Sequence, residues 1–103
     1  SLIKRLGLDE EVRAKAVVLA EGLTGELVAR GEVELAVQQM SELMQVTGIN
    51  IFAKLPPAVQ QSTVLSAGIF KESAQTAAIQ SLVAFLQTSD AKRAFKQQGL
   101  DPV

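Results

Sequence analysis

The sequence contains no cysteine and no histidine. Thiolate metal sites, disulfides, cysteine nucleophiles and imidazole acid–base catalysis are therefore excluded within this chain. The lack of cysteine leaves the compartment open, since reducing and oxidising locations both tolerate it. Tryptophan and tyrosine are absent as well. The 10 basic and 11 acidic residues are scattered evenly, giving a net charge of −1. Without aromatic platforms or a basic stripe, nucleic acid is not an expected partner. No apolar run nears the roughly 20 residues that a membrane-spanning helix requires. No internal repeat, linker or low-complexity tract is visible, and no signal peptide is legible. The opening residues, Ser1-Leu2-Ile3-Lys4-Arg5-Leu6, read as the end of an amphipathic helix already under way, so a natural N-terminal portion is expected to precede them.

What the chain does contain is apolar side chains. They make up 48% of its 103 residues, with a mean hydropathy of +0.23. The length fits one domain or a piece of one. The composition holds more core-facing surface than a monomer of this size easily hides.

The pattern along the chain predicts an alternation of strands and helices. Leu2, Ile3 and Leu6 share a helical face that Gly7 stops. Asp9 is placed to cap a short helix over residues 10–15. Residues 16–20 form a continuous apolar run that fits a strand buried on both faces. Thr24 is placed to cap a helix carrying Leu27 and Val28, with Gly31 in the left-handed closing position. Residues 33–37 read as the next strand of a right-handed βαβ unit. Ser41 is placed to cap residues 42–45. Residues 49–53 read as a third strand that Pro56-Pro57 ends, and residues 63–70 as a fourth. Ser73 is placed to cap a helix carrying Ala78, Ile79, Leu82, Val83 and Leu86 on one face. Thr88 or Ser89 caps a last helix, which Gly99-Leu100 closes in a Schellman ending.

The expected fold class is therefore α/β, with a mixed, mostly parallel sheet and flanking helices. In open sheets of this kind, small ligands sit beyond the carboxyl ends of strands and near helix starts. Two places qualify. Gly22-Leu23-Thr24-Gly25 sets backbone N–H groups and a hydroxyl at a helix start after a strand, chemistry suited to an oxyanion or a carboxylate. A tight reversal with a cap explains the same turn. Gln38 and Gln39 follow the strand at 33–37, although such amides also simply end strands at the surface. Glu32 and Glu34, and the Lys92-Arg93-Lys96 group, read as solvated faces. Met40 and Met44 read as core filler.

Taken together, several segments resemble the C-terminal part of bacterial periplasmic solute-binding proteins of the molybdate type. They are Glu26-Leu27-Val28-Ala29-Arg30-Gly31-Glu32-Val33-Glu34-Leu35-Ala36-Val37-Gln38-Gln39, Ser41-Glu42-Leu43, Gly48-Ile49 through Leu55-Pro56, and Thr63-Val64-Leu65-Ser66-Ala67-Gly68. Ala84-Phe85-Leu86, Ser89-Asp90-Ala91 and Lys96-Gln97-Gln98-Gly99-Leu100 complete the set. The order and spacing of these segments carry the likeness; no single motif does. The resemblance implies a fragment of a two-lobe, type II-like binding protein. Residues 1–103 would form one globular fragment, about 1–60 from the second lobe and about 61–103 returning to the first.

The function so implied is the solute-binding component of an ABC importer. It would be periplasmic or extracellular, would capture a small oxyanion such as molybdate or tungstate by neutral donors, and would deliver it to an inner-membrane permease. The ligand-binding positions would be Leu23, Thr24, Gln39 and Ser41. Best-known molybdate binders carry a tyrosine where this chain has Gln39. No catalytic residue, metal or cofactor is expected, and the chain is expected not to be an enzyme. The exposed apolar surface of such a fragment points to a homodimer or higher assembly. The alternative function is the effector-sensing domain of a LysR-type transcription regulator. A small α/β enzyme ranks behind both, because no nucleophile–base pair is present.

Overall fold

A computed structural model describes residues 2–103. Among the described residues there are six helices: α1 (Leu2–Arg5), α2 (Asp9–Arg13), α3 (Thr24–Ala29), α4 (Met40–Leu43), α5 (Thr76–Leu86) and α6 (Ser89–Gln97).

The helix ends follow local chemistry closely. Gly31, at φ +73°, closes α3 while the Glu32 N–H donates back to the Leu27 carbonyl at 2.9 Å. Gly99, at φ +81°, closes α6 in the same way, with the Leu100 N–H reaching the Phe95 carbonyl at 3.0 Å. Both are Schellman endings, which need the left-handed conformation that glycine adopts without steric cost. Thr88 caps α6, its hydroxyl accepting from the Ala91 N–H at 3.3 Å. Other caps fall elsewhere than the residue types predict. α2 is entered from Leu8 and α3 from Leu23, so that Asp9 and Thr24 lie inside their first turns. α4 is entered from Gln39, with Ser41 inside it. Ser73 precedes α5 by a separate turn in which its hydroxyl accepts from the Gln75 N–H.

The expected α/β sheet is not formed, and that expectation is corrected here. Among the described residues there is no strand. The stretches 16–20, 33–37, 49–53 and 63–70 run without a ladder. No backbone N–H from residues 47–58 or 61–72 reaches a backbone carbonyl. The physical reason is that a strand, unlike a helix, draws all its hydrogen bonds from a second segment, and none is bonded to these stretches. The side chains of these stretches are correspondingly open: Val18 is 89% exposed, Phe52 80% and Leu65 76%.

The core is accordingly small. Leu27 and Ala91 are the buried hydrophobic residues among those described, joined by Gly25 on α3. A Cβ on Gly25 would come within 3.0 Å of Ile49 Cδ1 and 3.2 Å of Val46 Cγ2, so α3 and the 46–49 segment are in close contact. A Cβ on Gly99 would lie 2.8 Å from Met44 Sδ, 2.9 Å from Met40 Cγ and 3.0 Å from the Ser41 nitrogen. The closing turn of α6 is thus seated on α4. α5 buries none of its side chains. The accessible surface is 8772 Å², whereas a compact 11.0 kDa monomer exposes roughly 5,600 Å². The radius of gyration is 18.0 Å, against about 13 Å for a compact chain of this length.

Candidate functional site

The best-defined polar arrangement joins the start of α3 to residue 38. Gly22 turns the chain at φ +93°. Leu23 is extended, and Thr24 opens the helix. The Gln38 side-chain oxygen accepts two hydrogen bonds from Thr24, from its backbone N–H at 2.7 Å and from its hydroxyl at 2.9 Å. The Gln38 amide nitrogen donates to the Gly22 carbonyl at 3.2 Å. One amide group thereby clamps both sides of the turn across at least 14 residues of sequence.

All the donors in this cluster are uncharged. Two of them converge on a single acceptor oxygen, which is geometry that a carboxylate or another oxyanion can also satisfy. The nearest acid on the helix is Glu26 in its first turn. It lies 3.7 Å from Arg30, which also holds Glu32 at 2.6 Å. The hydrogen bond that Arg30 donates to Glu32, and then the charge of Glu32, hold the guanidinium above its already high ordinary pKa. Arg30 is therefore engaged with these two carboxylates.

The four sequence-predicted ligand positions are not equally placed. Leu23 and Thr24 lie half-buried at the clamp. Gln39 is exposed, and its carbonyl accepts from the Glu42 and Leu43 N–H groups at the start of α4. Ser41 is half-buried within α4, with its backbone nitrogen beneath Gly99. The residue that reaches Thr24 is Gln38. Successive side chains of an extended segment point to opposite sides, so only one of two adjacent amides can turn toward α3.

Two surface depressions lie elsewhere. One, of about 270 Å³, is bounded by Glu26, Arg30, Gln45 and Thr47 among others. The second, of about 120 Å³, runs between residues 34–36 and 49–53. Neither includes Thr24, Gln38 or Gln39. No group of three or more acidic side chains is positioned to hold a metal ion among the described residues.

Residues 1–101 match the family described as bacterial extracellular solute-binding protein. The chain belongs to that family. An aconitate isomerase from Pseudomonas sp. is 37% identical over 102 residues, which cover 99% of this chain and 39% of that protein. The chain thus spans about two-fifths of the length of this relative. No solved structure matches.

Two expectations change with these findings. The family description specifies solute binding but no particular solute, so the molybdate assignment is narrower than what the match supports. The expectation that the chain is not an enzyme is overturned by the relative, which bears an enzyme's name at substantial identity. The inference from missing histidine and cysteine fails for a physical reason. Proton transfer can be carried by carboxylates, lysines or ordered water, and by residues outside the compared 102.

Proposed function

We propose that this chain forms part of an extracytoplasmic binding protein whose solute is a small carboxylate-bearing anion. The observation that carries this reading is the convergence of the Thr24 N–H and hydroxyl on one acceptor oxygen, now that of Gln38. A carboxylate oxygen accepts hydrogen bonds in the same way as an amide oxygen, and more strongly. Leu23, Thr24, Gln39 and Ser41 are the contacts assigned to the solute, with Gln38 as the group that exchanges places with it. The relative's name supports a polycarboxylate, because aconitate carries three carboxyl groups. Family membership supports a role in capture, periplasmic or extracellular, ahead of delivery to an ABC permease.

A second reading is favoured by the same relative: the whole polypeptide isomerises the anion it captures. Both readings place the same class of solute at the same residues. Molybdate or tungstate would use the same neutral donors.

The test is a chimera in which this chain replaces the matching 102 residues of the Pseudomonas protein. Calorimetric titration with cis-aconitate, trans-aconitate, citrate and molybdate separates the solutes, and a spectroscopic assay of aconitate interconversion separates capture from catalysis. Heat with a polycarboxylate is the expected result. Heat with molybdate alone, from a folded chimera, would remove the carboxylate assignment.

A further inference from the structure

Gly25 lies inside α3 and is not at positive φ, so its dihedral angles do not call for glycine. A glycine in a helix is disfavoured relative to alanine. The reason for it here is space. A Cβ at this position would meet Ile49 Cδ1 at 3.0 Å and Val46 Cγ2 at 3.2 Å, inside the ~3.5–4.0 Å at which carbon atoms pack without cost. At the other end of α3, a Cβ on Gly48 would lie 3.9 Å from the Ala29 Cβ. Positions 25 and 29 share one helix face, so residues 46–49 lie against that face over a full turn.

The residue before Gly25 is Thr24, which the Gln38 oxygen engages. Gln38 precedes α4 and residues 46–49 follow it. The first turn of α3 is thus gripped twice, by the stretch that enters α4 and by the stretch that leaves it. Val46 is β-branched and stiff about its first torsion, so it does not swing aside cheaply. A side chain at position 25 would therefore push the turn outward by about 0.5 Å. That is enough to carry the 2.7 and 2.9 Å bonds of Thr24 to or beyond the end of the usual hydrogen-bonding range. These contacts all lie within the chain, and Gly25 is already buried by them, so they do not depend on what further polypeptide covers.

We propose that Gly25 is a positioning residue for the site. By bearing no side chain it sets how deeply α3 seats on residues 46–49, and hence where the Thr24 N–H and hydroxyl stand relative to Gln38 and the solute. The inference rests on the assignment of Thr24 to the solute.

The test is Gly25→Ala in the chimera with the Pseudomonas protein, with calorimetry against trans-aconitate and urea unfolding on the same preparation. Alanine is favoured in a helix, which offsets part of the cost of the contact, so the unfolding midpoint should change little. Affinity should fall about tenfold. A role confined to folding would shift the midpoint and spare the affinity. Val46→Ala with Ile49→Val removes the two contacting atoms, and adding this pair to Gly25→Ala should restore affinity to within about threefold. Gly68→Ala, whose new Cβ meets nothing within 4 Å, should leave affinity unchanged. A folded Gly25→Ala chimera that binds like its parent, or a loss that the relieving pair does not restore, overturns the proposal.

A second measurement needs no solute and does not require Gly25→Ala to fold. Ile49→Ala loosens the same seat from the other side. The Thr24 amide should then exchange its hydrogen about tenfold faster, while the amides of α5 keep their rates. An unchanged Thr24 rate overturns the proposal. A parent chimera that takes up no polycarboxylate, while Ile49→Ala still accelerates Thr24, counts against the solute assignment alone.

Discussion

Gln38 and Thr24, fourteen positions apart, are joined by two hydrogen bonds that end on one oxygen, at 2.7 and 2.9 Å. This contact fixes the entry to α3 against the segment that leads into α4. Without it, the turn at Gly22 would be held by its own backbone alone.

Replacing Gln38 by Ala removes both acceptor contacts and the bond to the Gly22 carbonyl. Each neutral hydrogen bond contributes about 0.5–1.5 kcal/mol net. The expected outcome is a loss of about 1.5–4.5 kcal/mol in the local opening free energy of α3, read as faster hydrogen exchange at residues 27–30. Gln39→Ala, at an exposed side chain, should leave those amides unchanged.

Thr24→Val keeps the N–H and removes the hydroxyl. In the chimera it should weaken binding of a polycarboxylate by about tenfold, the equivalent of one lost hydrogen bond of about 1.4 kcal/mol. Calorimetry against trans-aconitate checks this. An unchanged affinity would remove Thr24 from the site.

Gly99→Ala should be costly. The new Cβ meets Met44 Sδ, Met40 Cγ and the Ser41 nitrogen, and the backbone is at φ +81°. A loss of about 1–3 kcal/mol is expected, from left-handed strain and from displacement of the turn. Gly68→Ala is the control. It meets nothing within 4 Å and should be neutral or stabilise by up to about 1 kcal/mol. Urea denaturation monitored by circular dichroism compares the two.

Thr88→Ala removes the cap on α6 and should cost about 1 kcal/mol, visible as lost helicity at residues 89–92. Thr88→Ser should restore most of it.

The Lys54–Asp101 pair, at 3.3 Å and largely exposed on both sides, should matter little. Lys54→Met is expected to change stability by less than about 1 kcal/mol at physiological salt. A larger effect in the same urea experiment would show that the pair is shielded from solvent.

The legible parts of this fold are those written locally. Gly31, Thr88 and Gly99 announce helix ends because a cap or a left-handed residue acts over a few positions. The apolar periodicity from Ala78 to Leu86 announces α5 for the same reason. The sheet was not legible. An apolar run such as residues 16–20 or 63–70 states a preference for burial and extension, but not that a partner lies alongside. The clamp was half legible. The pair Gln38-Gln39 marks one of the two candidate places, yet which amide faces α3 depends on the phase of the segment, which composition does not carry. Enzymatic activity is not legible from residue types alone, because the chain covers only 39% of its relative.

The seating of Gly99 on α4 would give the two halves of the proposed site different access. Over Thr24 a visitor need only evict a side chain. At the Ser41 nitrogen it would first have to lift the last turn of α6. Capture involving Ser41 would then proceed in two stages, a quick docking followed by a slower adjustment of the carboxyl-terminal helix. Strengthening that helix's hold should delay the second stage while sparing the first.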